Sequence, residues 1–193
     1  VSDTPTDTGY VAVEAGQGHN LALKQDGSIV AWGRDSQNQV SSTPSDTGYI
    51  AVAAGRYHNL ALKQDGSIVA WDDNQSQVFN TPTDTGYVSI AGRNHSLALK
   101  QDGSIFAWGS DRYNQVADTP TGPDFIAVSA KNYHSLALKT DGSLVAWGRD
   151  IYGEVSNTPT DTGYIAVAAG YGQSIVLRQD GSISSWGRNY RFY

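Results

Sequence analysis

His58-Asn59-Leu60-Ala61-Leu62-Lys63-Gln64-Asp65-Gly66-Ser67-Ile68-Val69-Ala70-Trp71 reads as two strands joined by a tight turn. Leu60 and Leu62 alternate with Ala61 and Lys63, and Ile68 and Ala70 alternate with Val69 and Trp71. This period of two sends one set of side chains to a buried sheet face. Gln64-Asp65-Gly66-Ser67 separates the two runs. Asp-Gly there is expected to supply the positive φ angles of a tight hairpin turn.

The hairpin recurs along the chain. Its closing tryptophans stand at 32, 71, 108, 147 and 186, spaced by 39, 37, 39 and 39 residues. Repeats of that length build propellers and solenoids. Of the 26 residues from Asp7 to Trp32, 22 recur in Asp46 to Trp71, which points to recent duplication of one unit. Each unit adds a strand before the hairpin, Tyr49–Ala54 in the second copy. After the tryptophan come a polar loop, a short strand such as Val40-Ser41-Ser42, and a T-P-x-D-T-G connector such as Thr43–Gly48. Pro and Gly punctuate the connector, and its Asp can close an Asx turn. No segment reads as helix. Four strands per unit make one propeller blade, so residues 1–193 read as a single all-β domain, a β-propeller of five four-stranded antiparallel blades.

Register bears on closure of the ring. From Trp186 to the C-terminus and on from Val1 to Trp32 is again 39 residues. Val1 then takes the place of Val40, and Val1 to Thr4 are expected to supply the last strand of the C-terminal blade, leaving no exposed sheet ends. The competing reading is a longer array cut at a repeat boundary.

Composition narrows function. A formal charge of -6 lacks the basic footprint that phosphate backbones require, so nucleic acid is not an expected partner. With no cysteine, disulfides, thiolate metal sites and cysteine nucleophiles are excluded. There is no methionine, and the first residue is Val1. A processed chain or a fragment is expected, with secretion or a periplasmic location favoured. No apolar run approaches the roughly 20 residues of a spanning helix, so a soluble protein without membrane insertion is expected.

The frame G-x-x-H-[NS]-L-A-L-K-x-D-G-S-[IL]-x-A-W-G resembles the repeat of the regulator-of-chromosome-condensation propeller family, over essentially the whole chain. The short repeat and T-P connector are more similar to the bacterial branch that includes the propeller-type β-lactamase inhibitory protein. The resemblance implies a propeller. Members of the family exchange nucleotides on small GTPases, inhibit enzymes or have no known role, so function has to be argued from the site. Those relatives are seven-bladed, whereas this chain has five units.

Strand directions alternate within a blade, so the loops after the first and third strands share one face of the ring. Those are the loops in which the repeats differ. After the first strand stand Gln17-Gly18, Arg56-Tyr57, Arg93-Asn94, Asn132-Tyr133 and Tyr171-Gly172. After the third stand Arg34–Asn38, Asp72–Ser76, Ser110–Asn114, Arg149–Gly153 and Arg188–Phe192. The Q-D-G-S turns and T-P connectors of the other face barely change. Aromatic, Arg and Asn side chains are the material of binding surfaces. The candidate binding residues are Arg56, Tyr57, Arg93, Asn94, Arg112, Tyr113, Asn132, Tyr133, Tyr152, Tyr171, Tyr190 and Phe192. The bland alternative is drift of exposed loops after duplication.

His19, His58, His95 and His134 open the second strand of successive units, with Gln173 in the fifth. A structural role is expected. The resemblance implies one His per blade satisfying a loop backbone group, and neighbouring blades hold the rings too far apart for one ion. Catalysis is not expected. His95-Ser96 and His134-Ser135 are strand neighbours pointing to opposite faces, and most aspartates sit in turns. The only glutamates are Glu14 and Glu154; Glu14 stands where copies two and five have Ala, as a candidate channel or mouth residue or a tolerated surface change. Asp72-Asp73-Asn74 lacks the fuller oxygen set of a calcium loop. No cofactor or metal is expected. Asn74-Gln75-Ser76 and Asn94-His95-Ser96 are glycosylation sequons.

The function expected is a non-catalytic binding module, a monomeric ring engaging a protein partner through the loop face, with enzyme inhibition as one use. The alternatives are a lectin-like glycan binder with repeated weak sites, or a structural repeat protein. A glycan binder should keep its contact residues alike across blades, and these loops differ.

Overall fold

A computed structural model describes residues 4–71 and 76–188. Val1–Asp3, Asp72–Gln75 and the C-terminal residues from Asn189 lie outside the described residues, and with them Tyr190, Phe192 and the Asp72-Asp73-Asn74 cluster.

Each unit forms one antiparallel sheet of three strands in sequence order. The first holds β1 (Tyr10–Ala15), β2 (His19–Lys24) and β3 (Ile29–Gly33). The second holds β4 (Tyr49–Ala54), β5 (Asn59–Lys63) and β6 (Ile68–Trp71), followed by a short helix, α1 (Ser76–Phe79). Next come β7 (Tyr87–Gly92), β8 (His95–Lys100) and β9 (Ile105–Gly109), then β10 (Phe125–Lys131), β11 (His134–Lys139) and β12 (Leu144–Gly148). The fifth holds β13 (Tyr164–Ala169), β14 (Gln173–Arg178) and β15 (Ile183–Gly187).

Among the described residues the expected fourth strand is absent: Val40–Ser42 lies in a turn, and the equivalent Val78 and Phe79 of the second unit lie in α1. An aspartate accounts for the difference. Asp35 Oδ1 accepts from the Val40 and Ser41 amides at 2.8 and 2.9 Å, while Ser42 N bonds Asn38 O at 3.1 Å. Asp111 and Asp150 do the same for Val116 and Ala117, and for Val155 and Ser156. Amides held by a carboxylate and by an i→i+4 carbonyl wind a helical turn and leave no ladder for a strand edge. Asp150→Ala is therefore expected to destabilise the protein by about 1 kcal/mol or less, read from urea unfolding. Asp150→Asn, which keeps an acceptor oxygen, should recover most of it.

The hairpin turns also differ in detail from the Asp-Gly expectation. Only the glycine has positive φ, +79° at Gly66, with Gly66 N bonded to Lys63 O at 3.0 Å and Lys63 N to Ser67 O at 2.9 Å. That is a type I turn ending in a glycine bulge. A Cβ on Gly66 would lie 2.5 Å from Gly86 N, because the turn packs on the next unit's connector. The Asx turn belongs here rather than in the connector: Asp65 Oδ1 accepts from Ser67 N and Oγ. The connector's Asp46 instead takes Tyr49 Oη at 2.7 Å and Lys63 Nζ at 2.6 Å.

Register sorts every sheet into two apolar faces. Pairing of Ala53 with Leu60, Leu60 with Ala70 and Leu62 with Ile68 puts the bulky residues on one face. Val52, Ala61 and Val69 pair across the other, with Trp71 on the same side. The bulky face of one sheet packs on the smaller face of the next: Leu60, Leu62 and Ile68 meet Tyr87, Ala98 and Trp108. Four such junctions join the sheets in sequence order. Complementary size lets both faces bury fully, so Leu60 and Ala98 are equally inaccessible.

Among the described residues no fifth junction closes the ring. Val13 on the first sheet is 70% exposed where its equivalent Val52 is 7% exposed, and Ile183 on the last is 70% exposed where Ile68 is 8% exposed. Val1–Asp3, expected to close the ring, lie outside the described residues, and Thr4 is in no strand.

Candidate functional site

Among the described residues the loops after the first and third strands do meet, a third-strand loop against the first-strand loop of the following unit. Arg34, just past β3, lies over the Tyr57 ring at 5.8 Å, and Arg56 over the same ring at 4.8 Å. Gln17 Oε1 accepts from Arg56 Nε at 2.7 Å. Farther round, Arg112 and Arg149 flank Tyr113 at 5.6 and 5.7 Å, Tyr113 meets Tyr133 edge-on at 5.1 Å, and Arg149 and Arg188 lie at 5.4 and 4.8 Å from the Tyr152 ring. Arginine and tyrosine thus alternate across the third, fourth and fifth units. Stacking fixes each guanidinium plane while its N–H edges remain donors.

Of the residues expected at the site, Arg56, Tyr57, Arg112, Tyr113, Tyr133 and Tyr152 are gathered in these stacks. Tyr171 is exposed on the same face. The main chain of Arg93 accepts from Arg56 N at 2.8 Å. Asn94 and Asn132 are different: both are buried, with Asn94 Nδ2 donating to Asn132 Oδ1 at 3.3 Å. They belong to the junction between units, and burial also closes the Asn94-His95-Ser96 sequon. Asn74 and Gln75 of the other sequon lie outside the described residues. Arg34, Arg149 and Arg188 were not singled out from sequence, although W-G-R recurs at 32–34, 147–149 and 186–188.

Arginine collects on this face. Arg34, Arg56, Arg93, Arg112, Arg149 and Arg188 all stand in these loops. Their aspartates Asp35, Asp111 and Asp150 are engaged by the helical-turn amides. The opposite face carries the turn and connector aspartates, such as Asp65 and Asp46.

The histidines are structural. His58 Nε2 lies 3.0 Å from Ser96 Oγ, His95 Nε2 2.6 Å from Ser135 Oγ, His134 Nε2 3.2 Å from Ser174 Oγ and His19 Nε2 2.6 Å from Asn59 Oδ1. Each thus spans to the next unit's second strand. Main-chain bonds at Asn132 and Gln173 also engage His95 and His134. Burial first, then neighbouring histidines, pushes His95 down to about 3; burial and His19 push His58 down to about 4. These His–Ser pairs have no solvent access for a substrate. Gln173 donates instead to Arg188 O at 2.6 Å within its own unit.

Tryptophan adds a second link. The Nε1 of Trp71, Trp147 and Trp186 donates to the main-chain oxygen of Gln39, Gln115 and Glu154 in the preceding unit, at 3.3, 2.9 and 2.9 Å. At the axis, the first strands of all five sheets line a cavity of about 210 Å³ that includes Glu14 and Lys131. Desolvation there raises the Glu14 carboxyl, with Lys131 opposing the shift. Among the described residues no three His, Asp or Glu side chains gather as a metal set, and no helix is long and apolar enough to cross a membrane.

Solved structures show the same fold at low identity. The human protein WBSCR16 superposes with a TM-score of 0.77 at 18% identity, over 93% of this chain and 62% of that one. The ectodomain of the Physcomitrella patens receptor kinase CR4 gives 0.79 at 21%, over 98% and 53%. Prp20p of Saccharomyces cerevisiae, described with its binding to Gsp1p and histones, gives 0.74 at 22%, over 93% and 57%. This chain therefore spans between half and two-thirds of each of them. A sequence search of curated proteins finds no match. The profile of the regulator of chromosome condensation (RCC1) repeat matches residues 10–39, 49–76, 88–115 and 125–154, and the chain belongs to that repeat family.

Proposed function

We propose that the protein is a non-catalytic binding module whose Arg/Tyr loop face docks an acidic surface of a protein partner. The observation that carries this reading is the alternation Arg112, Tyr113, Arg149, Tyr152, Arg188, which puts ordered donors and aromatic area on one face of an acidic chain. Rings held by flanking guanidinium groups lose little entropy on binding, and Arg and Tyr are the residue types that dominate interface energetics. Differences between the units suit an asymmetric partner better than a repeated sugar. The repeat's similarity to the bacterial branch containing a β-lactamase inhibitory protein makes an enzyme one such partner, with inhibition by obstruction as the outcome. Prp20p, which shares the fold, is described as binding Gsp1p and histones, so protein recognition has precedent on this scaffold.

The test uses partners isolated from the native source on immobilised protein, identified and then titrated individually. Tyr113→Ala combined with Arg149→Ala is expected to weaken binding about tenfold or more, and added salt should weaken wild-type binding. Unchanged affinity in the double variant, or glycan binding at near-equal sites in every unit, would overturn the reading.

A further inference from the structure

On the face opposite the Arg/Tyr loops, every first strand begins with an aromatic residue followed by Val or Ile: Val11, Ile50, Val88, Ile126 and Ile165. Each stands at a break in register, as between Tyr49 and Ala51, so it is left out of the pairing with the second strand. Such a bulge re-aims the side chain it carries, and these five are 50–61% exposed. Ile50, Val88 and Ile126, in units with a neighbour on either side, are as exposed as Ile165, so the exposure belongs to the repeat itself. Strand propensity explains branching at Cβ, but Thr is branched too and suits water better.

The first strands line the axis, so the five aliphatic side chains form an apolar arc about its mouth. Ile126 and Ile165 share one cleft of about 360 Å³ with Thr140, Asp141 and Gly163, so adjacent units present them together. The hairpin turns join the second and third strands and therefore stand outside this arc. They supply Asp26, Asp65, Asp102, Asp141 and Asp180. The serine hydroxyl two residues on, and then its amide, donate to each of these carboxylates and hold it below the usual range, so all five are charged at neutral pH. The connector aspartates differ: Asp7, Asp46, Asp84 and Asp161 are neutralised by Lys24, Lys63, Lys100 and Arg178. The turns thus set a negative rim around an apolar centre.

We propose that this face docks a cationic amphipathic helix of a partner protein, with the helix's apolar stripe on the Val/Ile arc and its flanking Lys or Arg side chains at the turn aspartates. Charge selects the occupant. The rim attracts cations and repels anionic headgroups and phosphate backbones. The arc in turn offers burial to the apolar stripe of such a helix. Exposed aliphatic side chains gathered at one end of a molecule are the usual mark of such a contact. The site lies on the face away from the Arg/Tyr loops and does not rest on what those loops bind.

The probe is a synthetic peptide of leucine and lysine patterned as an amphipathic helix, labelled for fluorescence anisotropy and titrated with the whole chain. A scrambled peptide of the same composition is the control. The patterned peptide is expected to bind about tenfold tighter or more, because only it can lay an apolar stripe on the arc. Ile50→Thr combined with Val88→Thr and Ile126→Thr keeps the branched, exposed positions and should abolish that difference. Asp65→Asn with Asp102→Asn keeps an acceptor oxygen for each serine, and should weaken both peptides several-fold and flatten their salt dependence. Both variants are expected to keep the wild-type circular dichroism. Tyr113→Ala with Arg149→Ala should leave both peptide affinities unchanged, which separates the two faces. Equal affinity for the two peptides, or a threonine variant that still distinguishes them, overturns the proposal. So does capture of the chain by phosphatidylserine vesicles that is lost in the threonine variant, which assigns the arc to a lipid surface. Self-association in sedimentation equilibrium that is lost in the same variant assigns the arc to a second copy and overturns it as well.

Discussion

Leu97→Ala should lower the free energy of unfolding by about 2–5 kcal/mol, the range for truncating a fully buried leucine in a core that relaxes only partly. Leu97 has no solvent exposure and packs with Phe125, Ala130 and Trp147 of the next unit, so the cavity would open inside a junction. The informative control sits at the same repeat position. Ile175 pairs with Ala168 and Ser185 as Leu97 pairs with Ala91 and Ala107, yet it is 42% exposed, with no further sheet over it among the described residues. Ile175→Ala should cost less than about 1 kcal/mol. Chemical denaturation of both variants decides whether stability resides between sheets or within them. Equal losses would place it within.

Acidification should unfold the protein through its histidines before its carboxylates. Free histidine titrates near 6.5, whereas burial holds His58 at about 4 and His95 at about 3. The unfolded chain therefore binds protons that the folded chain refuses. Stability is fully present above about 6.5 and falls progressively as pH drops toward those folded values. The loss for His58 alone is on the order of 3 kcal/mol by pH 4. Carboxylates act later: Asp46 is lowered by hydrogen bonds from Lys63 and Tyr49, so its contribution is lost only as pH falls below the ordinary value of 3.8. His58→Gln with His95→Gln, imitating the natural Gln173, should flatten the melting-temperature profile between those limits. A profile as steep as wild type would show that the histidines do not set it.

Much of this was legible in the sequence because both signals are local. Alternation in Leu60-Ala61-Leu62 and the fixed interval between tryptophans depend on residues within one repeat, so the hairpin and its repetition follow directly. The shared loop face follows from strand direction, and the Arg/Tyr stacks form where that argument puts them. What failed depended on partners the alternation does not register. Val40-Ser41-Ser42 has strand-like composition, but Asp35 captures its amides from five and six positions upstream. Asn94 and Asn132 look like loop residues, yet both are buried, with Asn94 donating to Asn132 across the junction between their units. Closure was expected from counting residues, and Val1–Asp3, on which it turns, lie outside the described residues.

The tryptophan link has a consequence for the order in which the molecule is made. Trp71 reaches back to Gln39, as Trp147 does to Gln115 and Trp186 to Glu154, so each unit completes the one translated before it. On the ribosome, a finished sheet shows its leucine face only until the next unit emerges, and that unit arrives carrying the cover. Growth from the N-terminus therefore leaves only one leucine face waiting for its cover at a time, however many units the array contains.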